Sequence, residues 1–161
     1  MTAGLEPQLR QITVIEIGGK PWRELGYHST VRGLAVNQTE RSGSQWWTIT
    51  HLSTGRSVGV VVASKDRAAR LCMKLAAPSP ALPSGRTDWG FVSMGGNEAA
   101  ALRDHVRHVC TVDALVCRHK ADGRLEFLDP QLALLEFNAA VSRQRELERL
   151  TRETTREGEG T

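Results

Sequence analysis

The sequence predicts an α+β fold: a three- or four-stranded antiparallel meander with a packed helix, then a helix, a small hairpin and a long C-terminal helix. Three observations carry this. Short apolar runs dense in β-branched residues and bounded by turn residues dominate the stretch from Ile12 to Ala63. At Ser64 the apolar period changes from two to about 3.6. Asp129-Pro130 then supplies a capping carboxylate and a first-turn proline ahead of a long helical tract.

Taken in order, Ile12 to Ile17 reads as a strand that ends at Gly18-Gly19, and Lys20 to Ser29, with Trp22 and Tyr27, reads as irregular. Val31 to Gln38, Gln45 to Leu52 and Ser57 to Ala63 follow as strands. The short glycine-bearing links Glu40 to Ser44 and Ser53 to Arg56 suit hairpins, whereas parallel crossovers need more chain. Alternation puts Trp47, Ile49 and His51 on one face and Trp46, Thr48 and Thr50 on the other, and lines up Val58, Val60 and Val62. Ser64 caps a helix to about Ala76, with Asp66 in the first turn, an apolar face through Leu71, Cys72 and Leu75, and Arg67, Arg70 and Lys74 as a basic stripe. Pro78, Pro80 and Pro83 stop it.

Trp89 to Met94 reads as a short strand, and Asn97 as the cap of a helix through about Cys110, buried by Leu102, Val106 and Val109. Ending that helix early keeps Asp113 out of its apolar stripe, so Ala114 to His119 and Arg124 to Leu128 are expected as a hairpin turning at Asp122-Gly123. The last helix should run for about 25 residues. Its start, Leu132 to Val141, is apolar nearly all round and expected to be buried; from Ser142 it is laced with arginine and glutamate and expected to project, with Gly158 to Thr161 disordered. Residues 1–141 are thus expected as one domain. The connector 78–87 either crosses it as a loop or divides it into lobes 1–77 and 88–141.

With 161 residues, 40% apolar and 24% charged, the chain can bury a core without disulfides or a structural metal. It lacks a stretch of the length a membrane helix needs and the layout of a signal peptide, which points to a cytoplasmic protein with no membrane partner. Its three cysteines are odd in number and form no CxxC pair, as suits a reducing compartment. Arginine outnumbers lysine 17 to 4, a mark of a GC-rich genome more than of a function. No catalytic signature or phosphate-binding loop is present, so a non-enzymatic protein without cofactor is expected. The segment from Trp46 to Leu75 reads like a small phage or plasmid accessory protein, on no family motif.

Charge is unevenly placed. Residues 41–74 hold six basic side chains (Arg41, Arg56, Lys65, Arg67, Arg70, Lys74) against Asp66 alone, a local balance of +5 where the chain carries +3. With Trp46 and Trp47 between them, these groups suit phosphate neutralisation and stacking on a base, and the leading expectation is a nucleic-acid-binding accessory protein gripping phosphates with Arg41, Arg56, Arg67, Arg70 and Lys74. A meander followed by a helix also occurs in the arm-binding domains of tyrosine recombinases, a likeness of shape alone. The plainer account makes the stripe a solvated helix face and one tryptophan a core residue.

A zinc site among His105, His108, Cys110, Cys117 and His119 has the right ligand types, but on a helix Cys110 turns about 140° away from His105, so no metal is expected. Cys72 and Cys110 fall on inner helix faces, where burial makes a thiol inert, and Ser29 beside His28 has no activating context. Gly18-Gly19 and Gly95-Gly96 could form anion nests, the second ahead of a helix but without a following lysine. The rival function is a protein-binding adaptor or inhibitor of host machinery acting through residues 142–156. There Leu147 and Leu150 form a narrow apolar seam on a charged helix.

Overall fold

The structure, a computed structural model, describes residues 9–15, 21–77, 89–90 and 96–160. The fold is α+β. Seven strands form one mixed sheet, β1 (Leu9–Ile15), β2 (Pro21–His28), β3 (Leu34–Arg41), β4 (Ser44–His51), β5 (Arg56–Val62), β6 (Val116–His119) and β7 (Leu125–Leu128), with helices α1 (Lys65–Ala76), α2 (Gly96–Val112) and α3 (Pro130–Glu159). The spatial order is β1-β2-β3-β4-β5-β7-β6.

The sheet is larger than the expected meander, and two corrections account for this. The stretch from Lys20 to Ser29, read as irregular, holds β2: Pro21 to Tyr27 pairs with β1, from Leu9↔Tyr27 to Ile15↔Pro21, and Gly26 to His28 pairs with β3. The C-terminal hairpin is also part of the same sheet, because β7 runs parallel to β5 in the register Val60↔Phe127 and Val61↔Leu128. The expected hairpin geometry is otherwise present. Ser42 and Gly43 take φ of 52° and 76°, making a two-residue turn between Arg41 and Ser44 that suits the twist of a hairpin, and Gly123 turns the second hairpin at φ 84°.

Alternation divides the sheet into two faces. Val36, Ile49, Val60, Val62 and Phe127 pack with Leu71, Leu75, Leu102 and Val106 of α1 and α2 in the main core. On the opposite face Trp46, Val61 and Leu128 meet Leu132 of α3 in a smaller cluster. β5 bends between these faces: its register with β4 shifts between Thr48 and Thr50, and Gly59 takes φ 85° there. The bend lets the sheet curl until β1 lies against β5.

Ser64 caps α1 as expected, its hydroxyl accepting from the Arg67 amide at 3.1 Å. Ala77 then takes ψ 143°, the extended geometry imposed on a residue that precedes proline. α2 runs past Cys110 to Val112 and ends in a left-handed Ala114 (φ 59°), where the Leu115 amide donates to Cys110 O at 2.9 Å. Asn97 lies one residue inside it. Asp129 caps α3 by accepting from the Gln131 amide at 2.9 Å.

α3 brings the third correction. It spans 30 residues and runs through Gly158 and Glu159, which were expected to be disordered. Of Leu132 to Val141, expected to be buried, only Leu132 is; Leu134, Leu135 and Phe137 are 60%, 48% and 65% exposed. Residues 142–160 are all exposed. Gly18-Gly19, the connector 78–87 and most of the Trp89 to Met94 and Gly95-Gly96 readings lie outside the described residues.

Trp89 is among the described residues. It is wholly buried, its indole donates to Leu75 O at 3.2 Å, and its amide donates to Arg32 O at 2.7 Å. Its carbonyl faces His51 Nε2 at 2.8 Å. A carbonyl only accepts, so the proton sits on Nε2 of His51, and Nδ1 takes the Thr54 hydroxyl at 2.9 Å.

Candidate functional site

The basic side chains that crowd residues 41–74 meet acids from the other half of the chain. Arg41 leaves the end of β3 and donates to both Glu126 oxygens at 2.9 and 3.0 Å, and to Glu136 of α3 at 2.9 and 3.1 Å. Arg118 joins the same carboxylates and Lys120 stands 3.6 Å from Glu126. Burial pushes the Glu126 carboxyl up, but hydrogen bonds and charge from Arg41, with Lys120 and Arg118, more than offset it and hold the group below the ordinary carboxylate range. On α1, Arg67 bonds Asp129 at 2.7 Å and the Asp113 carbonyl at 3.0 Å, while Lys74 pairs with the Asp113 carboxylate.

Among the described residues Arg56 and Arg70 form no ion pair, and Lys65 sits 4.3 Å over the Tyr27 ring. Of the seven residues expected to hold nucleic acid, three therefore tie the fold together. The tryptophans separate as alternation requires. Trp46 is buried under α3, its indole N–H without a partner among the described residues, which costs about 1–3 kcal/mol. Trp47 is half-buried against Tyr27, ring centres 6.0 Å apart, and does not share a surface with Trp46.

His105 is buried and donates from Nε2 to Leu75 O at 2.9 Å. Cys110 is buried, Cys117 and His119 are exposed, and no group of three ligand-type residues converges among the described residues. Burial pushes the thiols of Cys72 and Cys110 up to about 12. A thiol-reactive dye should accordingly titrate Cys117 alone in the native protein and all three cysteines after denaturation; fast reaction of a second native thiol would contradict the burial of α1 and α2. Ser29 exchanges hydrogen bonds with Val31 through its hydroxyl, at 3.0 and 3.1 Å, as turn residues do.

On α3, Leu147 and Leu150 are 60% and 45% exposed, as their seam requires. The larger apolar surface was missed. Leu134, Phe137 and Val141 follow an i, i+3, i+7 spacing on the side turned away from Leu132, and only Val141 is partly covered. Leu147 and Leu150 lie about 80° and 140° round the helix from Phe137, a separate surface. A signal for the first stripe exists in the sequence: an all-round apolar helix start has more apolar faces than one small sheet can cover.

No helix among the described residues is long and apolar enough to cross a membrane. The chain matches no protein-family model, no curated protein and no solved structure.

Proposed function

We propose that the protein is a small accessory protein that docks on another protein through α3. The observation that carries this reading is the exposed stripe Leu134, Phe137 and Val141 at the point where α3 leaves the sheet. Covering a leucine and a phenylalanine contributes about 1.5–3 kcal/mol each, the scale of an anchor pair in a helix-binding groove. The same stripe continues through Gln144, Glu148 and Thr151, so pairing with a second copy would bury an amide and a carboxylate. A groove about two helical turns long on a different protein fits better. From Ser142 to Glu159 five arginines face five glutamates, with Arg149 clamped between Glu146 and Glu153 at 2.6 and 2.5 Å, so the rim favours a surface of mixed charge.

Photocrosslinking in the native host tests this. Benzoylphenylalanine in place of Phe137 should yield one adduct of defined mass, lost on Leu134→Asp and absent when the crosslinker replaces Arg70. No adduct from position 137, or the same adducts from both positions, overturns the reading.

A second reading keeps nucleic acid as the ligand, with Arg56 and Arg70 on phosphates and Trp47 on a base. That those two arginines are exposed and form no ion pair among the described residues favours it. Its test is a fluorescent single strand and duplex titrated at about 50 and 200 mM salt, where salt-sensitive binding weakened by Arg56→Gln and Arg70→Gln is required.

A further inference from the structure

The projecting half of α3 carries more order than its balanced charge suggests. Arg145, Arg149, Arg152 and Arg156 recur at intervals of four, three and four residues. At about 100° per residue they fall within about 60° of one another, in a row about 16 Å long. All four are exposed, and together they line one shallow groove along the helix. In heptad terms they take successive d and a positions, the seam that a coiled coil fills with apolar groups.

The acids are placed with respect to that row. Glu146, Glu148 and Glu153 take e and g positions, about 70° to 90° from its centre and on both sides of it. The far side holds Leu147, Leu150 and Thr154, and Arg143 lies there too, about 150° from the row. Of the four arginines, Arg149 is engaged by Glu146 and Glu153, whereas Arg145, Arg152 and Arg156 form no ion pair among the described residues.

This pattern selects among anionic partners. A second copy would set guanidiniums against guanidiniums along the seam, and like charges repel. A nucleic-acid groove lines both flanks of an inserted helix with phosphates, where the glutamates stand. The complement is the inverse pattern: carboxylates in a row of about 16 Å, with cations on either side. Each free guanidinium fork can then take a carboxylate in two parallel bonds.

We infer that the outer half of α3 pairs with an acidic helix of another protein, with Arg145, Arg152 and Arg156 on its carboxylates and Glu146, Glu148 and Glu153 against its flanking lysines or arginines. The inference does not rest on the Leu134–Phe137 surface, which lies nearer the sheet.

The test is a titration of the ¹⁵N-labelled full chain followed by amide chemical shifts, with two helical peptides of three heptads and identical composition as probes. One has glutamate at a and d and lysine at e and g, the other has these exchanged, and both have alanine elsewhere. At about 20 mM salt the first should shift the amides from Arg145 to Arg156 saturably and bind at least about tenfold more tightly than the second, a difference of about 1.4 kcal/mol. Arg145→Gln with Arg152→Gln should weaken it at least about fivefold with the melting temperature unchanged. Arg143→Gln with Arg107→Gln removes the same charge from exposed positions off the row, and should weaken it less than about twofold. Four results overturn the inference: no saturable shifts at about 1 mM peptide, equal affinity for the two peptides, equal losses in the two double variants, or tighter binding of a DNA duplex of about 20 base pairs through the same amides, which would assign the row to nucleic acid. Either surface of α3 can fail without the other, because the Leu134–Phe137 surface is read with the protein that the Phe137 crosslinker captures.

Discussion

Gly33→Ala should be among the most damaging single substitutions in the chain, lowering stability by about 2–5 kcal/mol. Gly33 takes φ 91°, a region that costs an L residue about 1–2 kcal/mol, and an added Cβ would fall inside van der Waals contact with the backbone carbonyl of Trp89. Backbone cannot swing aside as a side-chain end can, so overpacking adds a further 1–3 kcal/mol or so. Gly43→Ala is the matched control. It has φ 76° but nothing within 4 Å, so it should show the conformational cost alone. Thermal melts of the two variants separate the effects, with about 2–4 °C expected per kcal/mol. Equal melting temperatures would mean that Trp89 does not press on the Gly33 turn.

Glu126→Gln should cost about 2–3 kcal/mol at neutral pH. The side chain is only 5% exposed and holds Arg41, Arg118 and Lys120, and losing its charge leaves Glu136 alone against three cations. Removing one partner of a buried pair costs about 3–5 kcal/mol, discounted here because the cations are a quarter to a third exposed. The pH dependence follows from the depressed Glu126 pKa. A carboxylate whose folded pKa lies below its unfolded value stabilises the fold above that unfolded value, about 4.5, and the contribution is lost as pH falls through the folded pKa. The gap in melting temperature between the wild-type protein and Glu126→Gln should therefore be full at pH 7 and narrow below about pH 4.5. A gap constant down to pH 3 would remove Glu126 as the keystone of that network.

Both effects depend on contacts distant in sequence, and these mark where sequence reading succeeds and fails. Ser64 with Pro78, Asp122-Gly123 and Asp129-Pro130 are local signals whose chemistry acts within one turn, and α1, the β6–β7 hairpin and the start of α3 lie where those residues place them. β2 was hidden because Pro21, the Arg23-Glu24 pair and Gly26 interrupt alternation; its register is supplied by β1. The parallel pairing of β5 with β7 joins strands more than sixty residues apart and leaves no periodic trace. The same blindness inflated the basic patch. A window from 41 to 74 counts +5, but Asp113, Glu126, Asp129 and Glu136 reach back to it across the fold. On α3 the apolar composition was legible and its covering was not. Leu132 meets the sheet, while Leu134 and Phe137, only two and five residues on, turn away from it.

That α3 rather than the basic face is the working surface can be decided with whichever protein the Phe137 crosslinker captures. Its affinity is measured by calorimetry for the wild-type chain, for Leu134→Asp with Phe137→Asp, and for Arg56→Gln with Arg70→Gln. All four positions are exposed, so each variant should melt close to the wild-type protein. The account predicts a loss of at least about a hundredfold, roughly 2.7 kcal/mol, in the α3 variant and less than about twofold in the arginine variant. Undiminished binding by the α3 variant, or a larger loss from the arginines, would contradict it.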